Sequence, residues 1–199
     1  MHFMNDKMTE TASTFDFAPI LEEVNRLESL LLQCRSVFPS LTKKMIGHRE
    51  FPTAPYYMRR GYKAQIQLED PITEKFIERN RTLGKWINEN ALIRLYGIMF
   101  YRGFLDKIDQ SLMGWREVDL TRRMRDIFTK SRLNYQPNDA KNIRLREEVI
   151  KHFRLKKEDF PEGEIPTPID AVVVKLFNGC REYIKAKYAA HNTSLKPTP

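Results

Sequence analysis

Apolar residues recur at spacings of three and four in five stretches of the chain, and each stretch is bounded by polar, proline or glycine residues. In "DFAPILEEVNRLESLLLQCRSVF" the stripe is Ile20, Val24, Leu27, Leu31 and Cys34, with Pro19 in the first turn, where a missing N–H costs nothing. In "DPITEKFIERNRTLGKWINENALIRLYGIMFYRGF" it is Leu83, Ile87, Ala91, Leu95 and Ile98, flanked by Trp86, Leu92 and Met99. Asp70 is placed to cap this helix, Pro71 to open it and Gly103 to end it. Gly84 and Gly97 inside it predict a close approach of another element or a bend.

A third helix runs from about Trp115 to Lys130 on Leu120, Met124, Ile127 and Phe128. Asp139 can cap a fourth, "AKNIRLREEVIKHFRL". The fifth, "TPIDAVVVKLFNGCREYIKAKYAA", is expected to start with Thr167 as its cap and Pro168 as its first residue, and to bury Ile169, Val173, Leu176, Cys180 and Ile184. Five helices without a convincing alternating strand or a repeat predict an all-α bundle. A flexible leader is expected over 1–15, one helical domain over 16–190 and a disordered tail over 191–199.

Between Phe38 and Asp70 the periodicity fails. A connection of this length is long for a compact domain and is more often functional than idle. "PYYMRRGYKAQIQLED" interleaves Tyr56, Tyr57 and Tyr62 with Arg59, Arg60 and Lys63, a mixture suited to stacking bases and contacting phosphates. The same residues also suit a surface loop, or a short hairpin around Gly61 whose tyrosines pack inward.

The chain has 199 residues and a net charge of +8, which favours anionic partners. Its 41% hydrophobic content is that of a folding chain. No apolar run is long enough to span a membrane, and the N-terminus lacks the pattern of a secretory signal, so a cytoplasmic protein is expected. The two cysteines, Cys34 and Cys180, both lie on apolar stripes and are expected to be buried thiols rather than a disulfide or a nucleophile. Glycine-rich phosphate loops, paired zinc cysteines and HExxH are missing, so neither metal nor cofactor is expected. His152 is expected as a surface or C-terminal-turn histidine, favourably placed by the helix dipole.

The densest charge is "RRMRDIFTKSR", residues 122–132, where Arg122, Arg123, Arg125, Lys130 and Arg132 face one acid, Asp126. With "WINENALIRLYGIMFYRGF" before it and "LREEVIKHF" and "IPTPIDAVVVKLFNGCREYIK" after it, this segment resembles a HEPN-like family of small bacterial helical proteins, over roughly residues 73–187. That family carries an Arg-polar-x-x-x-His motif at the end of one bundle helix, and the matching hexad is "RDIFTK", Arg125 to Lys130.

The resemblance implies a metal-independent ribonuclease site, composite across a homodimer. A ribose 2′-hydroxyl would attack the adjacent phosphate, with His as acid or base and Arg stabilising the charge on phosphorus. Arg125 and Asp126 keep the motif, and Lys130 stands where it has His. Lysine, with a reference pKa of about 10.4, is a poor proton shuttle at neutral pH. The expectation is therefore an RNA-associated protein with impaired catalysis, in a bacterial defence or toxin–antitoxin context. Arg122, Arg123, Arg132, Arg59 and Arg60 are its candidate RNA contacts. An active ribonuclease through Arg125, Asp126 and Lys130 is one alternative. A helical interaction module with a protein partner such as an antitoxin is the other.

Overall fold

The computed structural model describes residues 17–52, 65–134 and 139–194, with backbone alone for 130–134 and 194. Five α-helices account for most of them: α1 (Ala18–Val37), α2 (Glu74–Tyr101), α3 (Trp115–Asn134), α4 (Ala140–Phe153) and α5 (Val174–Ser194). The all-α expectation holds at that level. The long connection between α1 and α2 contains a short antiparallel ribbon, β1 (Glu50–Pro52) with β2 (Gln65–Gln67), in which Phe51 pairs with Ile66. The buried Phe51 sets its ring 6.5 Å from that of Phe76 on α2, and main-chain bonds from Gly47 N–H to Ile72 O and from Ile72 N–H to His48 O tie the two arms of the connection together.

One hydrophobic core joins the helices. Ile20, Val24 and Leu31 of α1, Leu92, Leu95 and Met99 of α2, Leu120 and Met124 of α3, Val149 of α4, and Leu176, Phe177, Tyr183 and Ile184 of α5 are all nearly inaccessible to solvent. Helix α3 packs against both α2 and α5, and α1 lies along α2.

The inward faces differ from the periodic stripes in three places. In α1 the position after Leu31 that turns inward is Arg35, while Cys34 is exposed. The Arg35 guanidinium lies against Gly84, where any Cβ would overlap it, and donates to Ser40 Oγ at 3.3 Å. Gly84 therefore admits a guanidinium rather than a helix, and a Cβ at Gly97 would meet open space.

In the first half of α2 the buried positions are Asn80, Gly84 and Asn88, whereas Leu83 and Trp86 are exposed. The two amides are buried because distant carbonyls receive them, Asn80 donating to Pro39 O and Asn88 to Thr167 O. A buried amide with a partner is tolerated where one without is not.

The third difference is at helix ends. Thr73, not Asp70, caps α2, its hydroxyl accepting from the Phe76 N–H, and α2 begins at Glu74. Asp139 caps α4 as expected, accepting from Lys141 N–H. Thr167 caps nothing. Its carbonyl is taken by Asn88, and a π-helical turn (Ile169–Val173) leads into α5, with the Val172 and Val173 N–H groups sharing Pro168 O. Helix α5 runs on to Ser194, into the segment expected as tail.

Candidate functional site

Arg122, Arg123, Arg125 and Asp126 lie on the third and fourth turns of α3, held there because Leu120, Met124 and Phe128 on the same helix are buried. The spacing leaves the charged side chains partly open to solvent.

Each arginine already has an acid. Arg122 Nη2 lies 2.6 Å from Asp119 Oδ1. Arg123 bridges Asp119 at 2.9 Å and Glu148 of α4 at 2.7 Å. Arg125 Nη1 lies 2.6 Å from Asp126 Oδ1. The charge read as a cluster of five bases is thus substantially matched at its described end. Surface pairs of this kind are weak, about 0–1 kcal/mol each, so a phosphate can compete for them.

Arg125 has a second, more distinctive contact. Its guanidinium carbon lies 4.1 Å from the centre of the Tyr96 ring on α2. Tyr96 is in turn stacked on Phe100 one turn later, with centroids 5.7 Å apart and planes 14° from parallel. Phe100 is 48% exposed, so this ladder of flat groups ends at solvent. Sequence spacing carried no sign of it, since Tyr96 and Arg125 meet only because α2 and α3 pack side by side.

Four of the remaining expected site residues lie wholly or partly outside the described residues. Lys130 and Arg132 belong to the last turns of α3 and their side chains are outside the described residues. Arg59 and Arg60 lie outside the described residues altogether. Asp126, the motif's polar residue, is engaged by Arg125 rather than pointed at a proton donor.

His152 lies in the last turn of α4, the second of the two places expected for it, and is not free at the surface. Its Nε2 lies 2.7 Å from Glu117 Oε1, and both side chains are largely covered. Glu117 is on the first turn of α3, eight residues before Arg125, or about 12 Å along the axis at 1.5 Å per residue. Glu117 is packed onto α5 at Gly179, where any Cβ would overlap its side chain. The pair thus clamps α3, α4 and α5 together.

Cys180, beside it, is fully buried with its thiol 3.8 Å from Thr121 Oγ1, and burial pushes that thiol up to about 12. It is no nucleophile. Among the described residues no group of three or more His, Cys, Asp or Glu is placed to hold a metal ion.

A separate groove of about 710 Å³ runs between α1 and α2. Leu27, Leu30, Gly97, Ile98 and Tyr101 form its floor and wall, and Arg26, Arg94 and Arg102 its rim. Among the described residues no helix is long and apolar enough to cross a membrane. Comparison with protein-family models, with curated proteins and with solved structures finds no match for this chain.

Proposed function

We propose that this chain is a HEPN-like, RNA-associated protein that holds RNA on the α2/α3 face without cutting it. The observation that carries the reading is the ladder Arg125–Tyr96–Phe100. A guanidinium laid on an aromatic ring keeps its N–H edge for phosphate oxygens, while the open Phe100 face offers a base a place to stack. Arg122, 46% exposed, adds a second phosphate contact in exchange for its surface bond to Asp119.

The same geometry supports binding rather than cleavage. In-line attack by a 2′-hydroxyl needs a group that gives and takes a proton at neutral pH. The motif position that would supply it is Lys130, and His152 is committed to Glu117 near the other end of α3. Arg125 can stabilise charge on phosphorus, but charge stabilisation alone leaves the proton transfers unassisted.

The test is incubation of the purified protein with end-labelled single-stranded RNA in chelator, across pH 5–9. The expected outcome is retained, uncut RNA for the native chain. Accumulation of 2′,3′-cyclic phosphate ends, abolished by Arg125→Ala, would replace this reading with the active ribonuclease.

A further inference from the structure

We infer that the groove between α1 and α2 is a docking site for an acidic, amphipathic helical segment of a partner protein. It is distinct from the α2/α3 face. Tyr96 meets Arg125 of α3, whereas Arg94, Ile98 and Tyr101 border α1, and the two surfaces adjoin where the Phe100 and Tyr101 rings meet edge to face with centroids 5.8 Å apart.

Charge is the first argument. Arg122, Arg123, Arg125 and Arg181 each have an acid within 3 Å, so guanidiniums on the helices of this protein are met by acids where acids are near. Arg26, Arg94 and Arg102 have no ion pair among the described residues, although all three line one groove whose single acid is Glu23. Three guanidiniums around one depression raise a positive potential that an acidic partner relieves. A second copy of this chain, itself at +8, brings net charge of the same sign to it.

Shape and surface chemistry are the second. Leu30, 48% exposed, and Tyr101, 86% exposed, line the same groove from opposite helices and leave apolar surface open there. Leu27 and Leu30 on α1, and Arg94, Ile98 and Tyr101 on α2, follow spacings of three, four and seven, so the groove runs along both helices for about two turns, on the order of 10 Å. Gly97 leaves bare backbone in its middle, where an incoming side chain can seat without displacing anything.

An aliphatic trough of this length takes apolar anchors at i, i+3 or i+4, and i+7 from a third helix, with flanking carboxylates reaching the rim. Single-stranded RNA would call for flat aromatic stacking platforms, and the trough offers one, Tyr101.

The experiment uses the full chain and three labelled probes: a helical peptide with leucines at i, i+4 and i+7 and glutamates elsewhere, the same peptide with lysines for glutamates, and a uridine dodecamer. The acidic peptide is expected to bind and to shift the methyl resonances of Leu27, Leu30 and Ile98, and the basic peptide to bind at least tenfold more weakly. Arg94→Glu with Arg102→Glu is expected to weaken the acidic peptide at least tenfold. Gly97→Met, which fills the trough without changing charge and suits a helix better than glycine, is expected to do the same. Arg122→Ala with Arg125→Ala should leave the peptide's affinity unchanged.

Equal binding of the two peptides, no binding of either, or no effect of Gly97→Met in a folded variant would overturn the proposal. So would loss of the uridine dodecamer, rather than the peptide, in the Arg94/Arg102 variant, which would make the groove an RNA site. Failure here leaves the α2/α3 reading standing, because that reading is tested by the Arg122/Arg125 variant.

Discussion

The Arg125 guanidinium lies 4.1 Å from the centre of the Tyr96 ring, joining α3 to α2. The contact fixes where the charge points. A partly exposed cation–π pair is worth about 0.5–1 kcal/mol. A double-mutant cycle on urea denaturation, with Tyr96→Leu and Arg125→Ala, is expected to return a coupling energy of that size. A coupling of zero would mean that the ring does not position the guanidinium.

The junction of α3 with α5 should be intolerant of even one methyl group. Gly114 has a φ of +80°, and a Cβ there would overlap the Gly179 carbonyl. A Cβ on Gly179 would overlap Glu117, the partner of His152. Gly179→Ala is expected to lose about 1–3 kcal/mol from overpacking, and Gly114→Ala more, because it adds a left-handed backbone to the clash. Chemical denaturation measures both, and stability within 0.5 kcal/mol of the native chain would show that the junction yields.

Arg146 holds the connection between α4 and α5. It is 93% buried, and it donates through Nε to Glu164 O at 3.1 Å and through Nη2 to Phe160 O at 3.2 Å. Charged donors of this kind contribute about 1.5–3 kcal/mol each, and truncation strands the carbonyls they serve. Arg146→Ala is expected to lose about 3 kcal/mol and to open residues 154–168 to limited proteolysis. Unchanged cleavage there would show that the loop is held by other contacts.

The two thiols should react very differently. Cys34 is exposed, whereas Cys180 is fully buried and its thiol is pushed up from 9.0 to about 12. At pH 8 a thiol reagent is expected to modify one cysteine rapidly and the second roughly a hundredfold more slowly or not at all, until denaturant is added. Because the folded pKa lies above the unfolded one, Cys180 favours the folded state below pH 9, and that contribution is lost as pH rises from 9.0 toward about 12. Cys180→Ala should therefore flatten the alkaline limb of stability against pH.

Glu89 acts on the acid side. Burial pushes its carboxyl up, Lys85 pulls it down and Glu164 pushes it up again. With a folded pKa above the ordinary 4.5, the folded state holds the proton more tightly, so this group adds stability as pH falls through its raised pKa. At pH 7 the buried charge opposes folding. Glu89→Gln is expected to be more stable than the native chain at pH 7, with the gap closing below pH 4.5.

Helix number and order were legible because the apolar spacing is strong where the core is apolar. Leu120, Met124, Val173, Leu176 and Cys180 all turn inward as their spacing requires. The reading failed where the buried face is polar. Arg35, Asn80 and Asn88 turn inward where Ser40, Pro39 and Thr167 accept from them, and a one-dimensional pattern does not show such partners. It also took the Asp-Pro pair at 70–71 for a helix start, whereas the chain continues as far as Thr73 to form main-chain bonds beside the β ribbon.

The candidate site was half legible. Charge density on α3 was visible, but its pairing with Asp119 and Glu148 and its aromatic support were not, and the groove arginines are scattered over 77 positions from Arg26 to Arg102.

Binding of RNA through Arg122 and Arg125 is tested most directly by the salt dependence of affinity for a uridine dodecamer. Each phosphate contact to a single strand contributes about −0.7 to the slope of log K against log salt. Arg122→Ala with Arg125→Ala is expected to bind more weakly at low salt, with a slope shallower by about 1.4. The Arg94→Glu and Arg102→Glu chain should keep the native slope. Identical affinity and slope for the native and Arg122/Arg125 chains would contradict the assignment.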